Sequence, residues 1–247
     1  MIEVRHLEKS FGTQQVLKDV SFSIQKGESV VIIGRSGGGK SVLLKHLIAL
    51  LQPDAGEVLI EGENIVAMDE RQLLRVRRKF GMLFQGAALF DSLTVAENVA
   101  FAFRRDRSLP EDEIARKVAH VLELVDLPGI ESKNPSELSG GMRKRVGLAR
   151  AIVYQPEIVL YDEPTTGLDP LASDSIDKLI LRVRDRLDVT SVVVTHDMRS
   201  ARRLGQRILM LHDKRIYAAG TPDEIFQSKD PVVRQFVEGV SDAKELN

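Results

Sequence analysis

Ser29-Val30-Val31-Ile32-Ile33, then Gly34-Arg35-Ser36-Gly37-Gly38-Gly39-Lys40-Ser41, then Val42-Leu43-Leu44-Lys45-His46-Leu47 is the stretch from which the rest of the chain is read. The apolar run has the pattern of a buried strand, the glycine-rich octet that of a loop, and the apolar spacing behind it that of a helix. Glycines let the backbone curl until successive N–H groups point at one place. A helix starting there adds the positive end of its dipole, so the stretch is suited to holding a phosphate. Lys40 brings a full positive charge to the same point, and the Ser41 hydroxyl can ligate Mg2+. A glycine-rich turn with an incidental lysine would not require the full G-x4-G-K-S spacing between a strand and a helix. The stretch reads as a nucleoside triphosphate site.

Composition limits what surrounds it. A chain of 247 residues with 43% hydrophobic content can build the core of one large α/β domain, or of one domain with an inserted subdomain. Thirty-five Lys and Arg against 36 Asp and Glu leave a net charge of -1, so there is no basic footprint and no nucleic-acid partner is expected. The chain contains no cysteine, which excludes disulfides, thiol catalysis and Cys-based metal sites and is compatible with a reducing compartment. Met1-Ile2-Glu3 opens directly into a strand-like pattern with no signal-type segment. The most apolar segment, Val42 to Leu51, is short and broken by Lys45 and His46. The expectation is a soluble chain, with docking on a membrane partner left open.

Outward from the loop, Ile2 and Val4, then Val20, Phe22 and Ile24 alternating with Ser21 and Ser23, predict strands with turns at Gly12 and Lys26-Gly27. A pair of short strands is expected within Gly56–Gly62, after a turn at Pro53-Asp54-Ala55-Gly56, and together these make a local antiparallel β layer. Phe11 beside Gly12 is either an aromatic face for a base or a core phenylalanine. Leu73 to Lys79 is expected to be helical and Phe80 to Phe84 a short strand ending at Gln85. Ser108 with Glu111 reads as a capping box, and Ile114, Val118, Val121, Leu122 and Val125 as one helical stripe, so residues 86–155 are expected to form a mostly helical insertion.

Within that insertion, Leu138-Ser139-Gly140-Gly141-Met142 opens a helix with Met142, Val146, Ala149, Ile152 and Val153 on one face. Serine and two glycines at a helix start are a weaker anion site of the first kind, or simply a common cap. Ile158 to Tyr161 is a buried-type strand ending in Asp162-Glu163, the place for a Mg2+ partner and a water-orienting base in a chain with such a loop. Gly167 to Pro170 is a turn, Ile176, Leu179, Ile180, Val183 and Leu187 stripe a further helix, and Ser191 to Thr195 is another buried strand ending at His196. That histidine is placed to reach a terminal phosphate or to do nothing more than close a strand. Ile208–Leu211 and Ile216–Ala219 read as a hairpin over Asp213-Lys214, followed by helices starting at Thr221 and Asp230.

In this order the pieces (the loop, Gln85, L-S-G-G-M at 138–142, Asp162-Glu163, G-L-D at 167–169, His196) resemble the ATP-binding subunit of an ATP-binding cassette (ABC) transporter across essentially the whole chain. The resemblance implies an α/β P-loop NTPase core with a mostly parallel sheet, an antiparallel β subdomain and an inserted α-helical subdomain. One ABC ATPase domain would run over residues 1–240, with the core and β subdomain at 1–85 and 156–220, the helical signature subdomain at 86–155, and a helical tail at 221–247. It further implies ATP and Mg2+ as cofactors. Gly34, Arg35, Ser36, Gly37, Gly38, Gly39, Lys40, Ser41 and Val42 would hold the phosphates, and Phe11 would stack on adenine. Ser41 and Gln85 would ligate Mg2+, Asp162 would order its shell, Glu163 would polarise the attacking water and His196 would contact the γ-phosphate. Ser139, Gly140 and Gly141 would bind the γ-phosphate of ATP held by a second copy, in a head-to-tail homodimer on the cytoplasmic side of the inner membrane. Phe11 replaces the more usual tyrosine and Met142 the more usual glutamine; neither departure removes a phosphate ligand. The runs Leu83–Phe90 and Val233–Gly239 are similar to those of Mla-type phospholipid transport ATPases of Gram-negative bacteria, which implies permease subunits and an MCE-type lipid-binding protein as partners. Amino-acid or other small-solute importers share much of the pattern and are the alternative. The small residues Gly86, Ala87 and Ala88 are expected to leave a groove for a permease helix.

Overall fold

The computed structural model describes residues 1–106 and 109–239. In chain order the elements are β1 (Ile2–Phe11), β2 (Gln14–Ile24), β3 (Ser29–Ile33), α1 (Lys40–Leu47), β4 (Ala55–Ile60), β5 (Glu63–Asn64), α2 (Glu70–Arg77), β6 (Phe80–Leu83), α3 (Val95–Asp106) and α4 (Glu111–Leu124). There follow α5 (Gly140–Ile152), β7 (Ile158–Asp162), α6 (Pro170–Leu187), β8 (Thr190–Thr195), α7 (Met198–Leu204), β9 (Arg207–His212), β10 (Arg215–Gly220), α8 (Pro222–Phe226) and α9 (Pro231–Glu238). The chain forms two compact units, one of Met1–Val76 with the chain from Val192 onward, the other of Arg77–Ser191.

In the first unit an antiparallel sheet is ordered β2-β1-β4-β5. Ile2 and Val4 face Ile24 and Phe22 on one side and Ile60 and Val58 on the other, with the period-2 burial that alternating sequence dictates. The inward positions then run Ile2, Val4 and Leu7, because the ladder is shifted between Val4 and Leu7 and His6 there has φ 48°. An extra residue at a bulge keeps Leu7 on the buried face, where strict alternation would have turned it outward. The opposing strand comes so close that a Cβ on Gly56 would lie 2.4 Å from the His6 carbonyl oxygen. β4 begins at Ala55, one residue ahead of the Gly56–Gly62 stretch in which the sequence placed strands.

The other strands of this unit lie in the order β10-β9-β3-β8. β3 is parallel to β9, Val30 opposite Arg207 and Ile33 opposite Met210, and all five of its residues are buried. Such continuous burial is what a parallel strand covered on both faces requires. Its first residue is anchored on three sides. Ser29 Oγ donates to the Leu204 carbonyl at 2.6 Å, its N–H donates to Gln206 Oε1 at 2.8 Å, and its carbonyl accepts from the Gln206 N–H at 2.8 Å. The hairpin expected at Asp213-Lys214 forms, with φ 45° and 69° at those residues, the two positive values of a tight hairpin turn.

In the second unit β6 pairs in parallel with β7, Phe80 opposite Ile158 and Leu83 opposite Tyr161. Helices α3, α4 and α6 pack on α5, which in turn lies on β6. Two glycines permit that last approach: a Cβ on Gly81 would sit 2.3 Å from the Ala151 carbonyl oxygen, and one on Gly147 2.9 Å from Leu83 Cδ1. The stripe read on α4 is buried at Ile114, Val118, Val121 and Leu122. Ser108 of the expected capping box lies outside the described residues, and Pro110 occupies the cap position of α4 without a side-chain bond. Helix α2 begins at Glu70, three residues ahead of the apolar stripe that announced it.

Candidate nucleotide-binding site

The phosphate loop leaves β3 at Ile33 and enters α1 at Lys40. Gly37 and Gly39 have φ 72° and 96°, conformations in which a side chain is strained, and a Cβ on Gly34 would lie 2.6 Å from the Leu211 carbonyl oxygen. These three positions therefore require glycine for geometric reasons alone. Gly39 caps α1 without any side-chain hydrogen bond. Gly39 thus brings no side chain of its own to the helix's first N–H groups, unlike the serine or aspartate of an ordinary cap. Lys40 is 5% exposed and folds back on its own loop, its Nζ donating to the Gly34 and Arg35 carbonyls at 2.8 and 3.1 Å. Ser41 and Val42 are half-buried on the first turn of α1, and Arg35, Ser36 and Gly37 are exposed.

Beside the loop, a cavity of about 300 Å³ is lined by Gln14, Gln15, Val16, Arg35, Ser36, Gly37, Gly38, and Leu211 to Lys214. Phe11 pairs with Gln14 across the β1–β2 turn and is 48% exposed, with Lys9 Nζ 5.5 Å from its ring centroid. An aromatic face half open to solvent is not a core phenylalanine. In the same unit His196 is exposed directly after β8, the neighbour of β3 in the sheet.

The second unit carries the remaining expected residues. Asp162 closes β7 and is 6% exposed; Glu163 follows at 7% exposed, with φ 48°. A left-handed conformation on a non-glycine residue costs about 1 kcal/mol and persists only where the surroundings impose it. Here the Thr166 hydroxyl donates to Glu163 Oε2 at 3.3 Å and the Thr166 N–H donates to the Glu163 carbonyl at 3.3 Å. Gln85 is exposed just beyond β6. Ser139 is the cap of α5, its Oγ accepting the Met142 N–H at 3.3 Å, and with Gly141, Met142, Arg145, Asp126 and Ser175 it borders a cavity of about 450 Å³. Gly140 and Gly141 are half-buried on the first turn.

Three residues escaped the sequence reading. Asn98 is fully buried in α3; its Nδ2 donates to the Phe90, Leu93 and Thr94 carbonyls at 3.0 Å each and its Oδ1 accepts from the Phe90 N–H at 2.8 Å, so one amide shapes the segment after Gln85. Arg150 donates to the Ala87 and Ala88 carbonyls, each at 2.7 Å, and both alanines have positive φ. Ala87 is buried, so of the three small residues expected to form a groove only Gly86 and Ala88 are open. Lys144 is 5% exposed, and its Nζ donates to the Gln85 carbonyl and, at 3.2 Å, to the Glu163 carbonyl. Burial pushes both Lys144 and Arg150 below their usual pKa ranges. A charged residue on the inner side of a helix is the only trace these last two leave in the sequence.

Residues 17–166 match the family described as ABC transporter. The chain is 44% identical to a probable ribonucleotide transport ATP-binding protein of Mycobacterium leprae over 96% of its own length and 69% of that protein's. It is 40% identical to the intermembrane phospholipid transport system ATP-binding protein MlaF of Haemophilus influenzae, over 98% of this chain and 92% of the other. Among solved structures, a dimeric ATP-binding cassette in a post-hydrolysis state, bound to ADP and Pi, superposes with TM-score 0.82 at 33% identity over 90% of this chain and 99% of that one.

Proposed function

Because the chain belongs to the ABC transporter family, as an ATP-binding cassette that couples ATP hydrolysis to transport, we propose that its work is to power phospholipid movement between membranes of a bacterial envelope. The near-full-length likeness to the phospholipid-transport ATPase carries this reading. Among the described residues no helix is long and apolar enough to cross a membrane, so the reading needs permease subunits on which the cassette sits at the cytoplasmic face. An MCE-type lipid-binding protein belongs to the same proposed assembly.

The proposed chemistry follows from the side chains present. The loop N–H groups of Gly34–Ser41, continued by Val42, bind the phosphates, and Lys40 exchanges its hydrogen bonds to the Gly34 and Arg35 carbonyls for phosphate oxygens. Phe11 offers a face to adenine. A hydroxyl, an amide oxygen and a carboxylate are hard oxygen donors of the kind Mg2+ takes, and Ser41, Gln85 and Asp162 would hold it. When bound, Mg2+ neutralises charge on the phosphates. Glu163 draws the proton from the attacking water and His196 steadies the γ-phosphate. Ser139, Gly140 and Gly141 supply a second anion-binding helix start that a single nucleotide in the first does not need, so a head-to-tail homodimer with ATP shared between copies is the natural use of both.

The test is purification of the chain with its membrane subunits from the native host, followed by analysis of bound small molecules and of ATP-dependent lipid transfer. Copurifying phospholipid and an MCE-domain subunit are expected. A solute receptor with an amino acid in their place would replace the phospholipid reading with that of a small-solute importer.

A further inference from the structure

The cation buried in α5 is held by backbone oxygens from two distant points of the same unit. Lys144 lies five residues after the helix cap Ser139, and its Nζ donates to the carbonyls of Gln85 and Glu163, 59 and 19 residues away in sequence. Packing alone does not call for a lysine there, since a buried ammonium loses its hydration and a leucine or methionine would fill the same volume without that loss. What the ammonium adds is donors aimed at two carbonyls, with Asp162 and Glu163 supplying the opposing charge. One of those carbonyls belongs to a residue in the left-handed region, φ 48°, whose backbone must be held from outside. The other belongs to Gln85, where the backbone passes from β6 into the segment whose carbonyls at Ala87 and Ala88 are gripped by Arg150, six residues further along the same helix.

Building on the ATPase reading above, we propose that Lys144 is a positioning residue for hydrolysis, tying the helix that begins with Ser139-Gly140-Gly141 to the backbone that carries Glu163 and Gln85. A helix is stiff over five residues, about 7.5 Å of rise, so a displacement of its first turn on meeting a partner's nucleotide is passed to those two carbonyls. Lys144 touches no reacting atom in this account. It acts by fixing where the Glu163 carboxylate and the Gln85 amide point.

The experiment is a kinetic double-mutant cycle on the full chain, with Lys144→Met and Glu163→Gln separately and together, and with ATP affinity measured on each. Lys144→Met is expected to lower kcat about 10-fold or more while KM for ATP moves by less than about 3-fold, because misplacement of a catalytic group by a fraction of an ångström acts on the chemical step. In the Glu163→Gln background the same substitution should cost clearly less, since only the placement of the Gln85 amide is then left to lose. If Lys144→Met does not fold, Lys144→Ala, which also removes the donors, is read per bound nucleotide in its place, and Lys144→Gln, which keeps N–H donors, should retain more of the wild-type kcat than either. An unchanged kcat per bound nucleotide, or the same fold loss in both backgrounds, would overturn the proposal. Failure of the underlying reading looks different, because the unsubstituted chain would then not turn over ATP and Glu163→Gln alone would have no effect.

Discussion

Two helix starts in this molecule are built from the same small residues and differ in what satisfies them. At the start of α1 the cap is Gly39, in a conformation only glycine adopts without strain, with no side-chain bond to the helix and a buried lysine as the first helical residue. At the start of α5 the cap is Ser139, whose hydroxyl already accepts the Met142 N–H, and the following Gly140 and Gly141 have ordinary negative φ. A ligand at the first terminus displaces the two carbonyl contacts of Lys40, whereas one at the second displaces the cap bond of the helix itself. A buried positive charge as the first helical residue favours tight binding of an anion, and a helix start that its own serine already caps favours a reversible contact. That is the division expected between a resident nucleotide and the nucleotide of a partner that comes and goes.

The comparison can be broken most severely at Lys40. Lys40→Ala should remove ATP turnover, to below about 1% of wild type, by weakening nucleotide binding in a nest whose loop is otherwise intact. Isothermal titration with ATP checks it; wild-type affinity would mean that the first terminus is not the resident site. Glu163→Gln should slow hydrolysis by about 10²-fold or more with ATP binding retained. With ATP and Mg2+ the protein should then elute as a dimer on size exclusion, and adding Ser139→Arg should return it to monomer. A Glu163→Gln protein that stays monomeric in the assembled complex as well as alone would remove the shared role given to the second terminus.

Smaller effects sharpen the contrast between the glycines. Gly39→Ala forces a side chain into φ 96° with Val16 Cγ1 at 3.0 Å and Leu17 Cδ2 at 3.2 Å. It should cost about 1–3 kcal/mol in chemical denaturation and weaken ATP binding with it. Ser139→Ala should cost about 1 kcal/mol through loss of the cap, without touching monomeric nucleotide affinity. Gly141→Ala meets nothing nearer than Ala172 Cβ at 4.0 Å, so its effect on the melting temperature should be close to zero and any loss should be confined to dimer formation.

The same contrast explains what could be read from the chain before its fold was known. Strands β3 and β7 announce themselves as unbroken apolar runs because a parallel strand covered on both faces has no polar side to show, and the phosphate loop is local because its glycines, lysine and serine are consecutive. The hairpin at Asp213-Lys214 and the helix starts at Thr221 and Asp230 are local in the same sense. Backbone conformation and capping depend on neighbours a few residues away, and such neighbours are visible in sequence. The bulge at His6, whose carbonyl lies against Gly56 of β4, depends instead on two strands some fifty residues apart meeting in register. So do the carbonyl grips of Lys144 and Arg150, whereas Asn98 reaches carbonyls four to eight residues away; each side chain reads as an ordinary polar residue in an amphipathic helix. What it bonds to is a backbone oxygen, which every residue possesses and which leaves no mark in the sequence. The residue types that can bind and hydrolyse a nucleotide were therefore set by the order of amino acids, while the orientation of the buried glutamate, and the cation that holds its backbone, came from packing between segments that only the folded chain brings together.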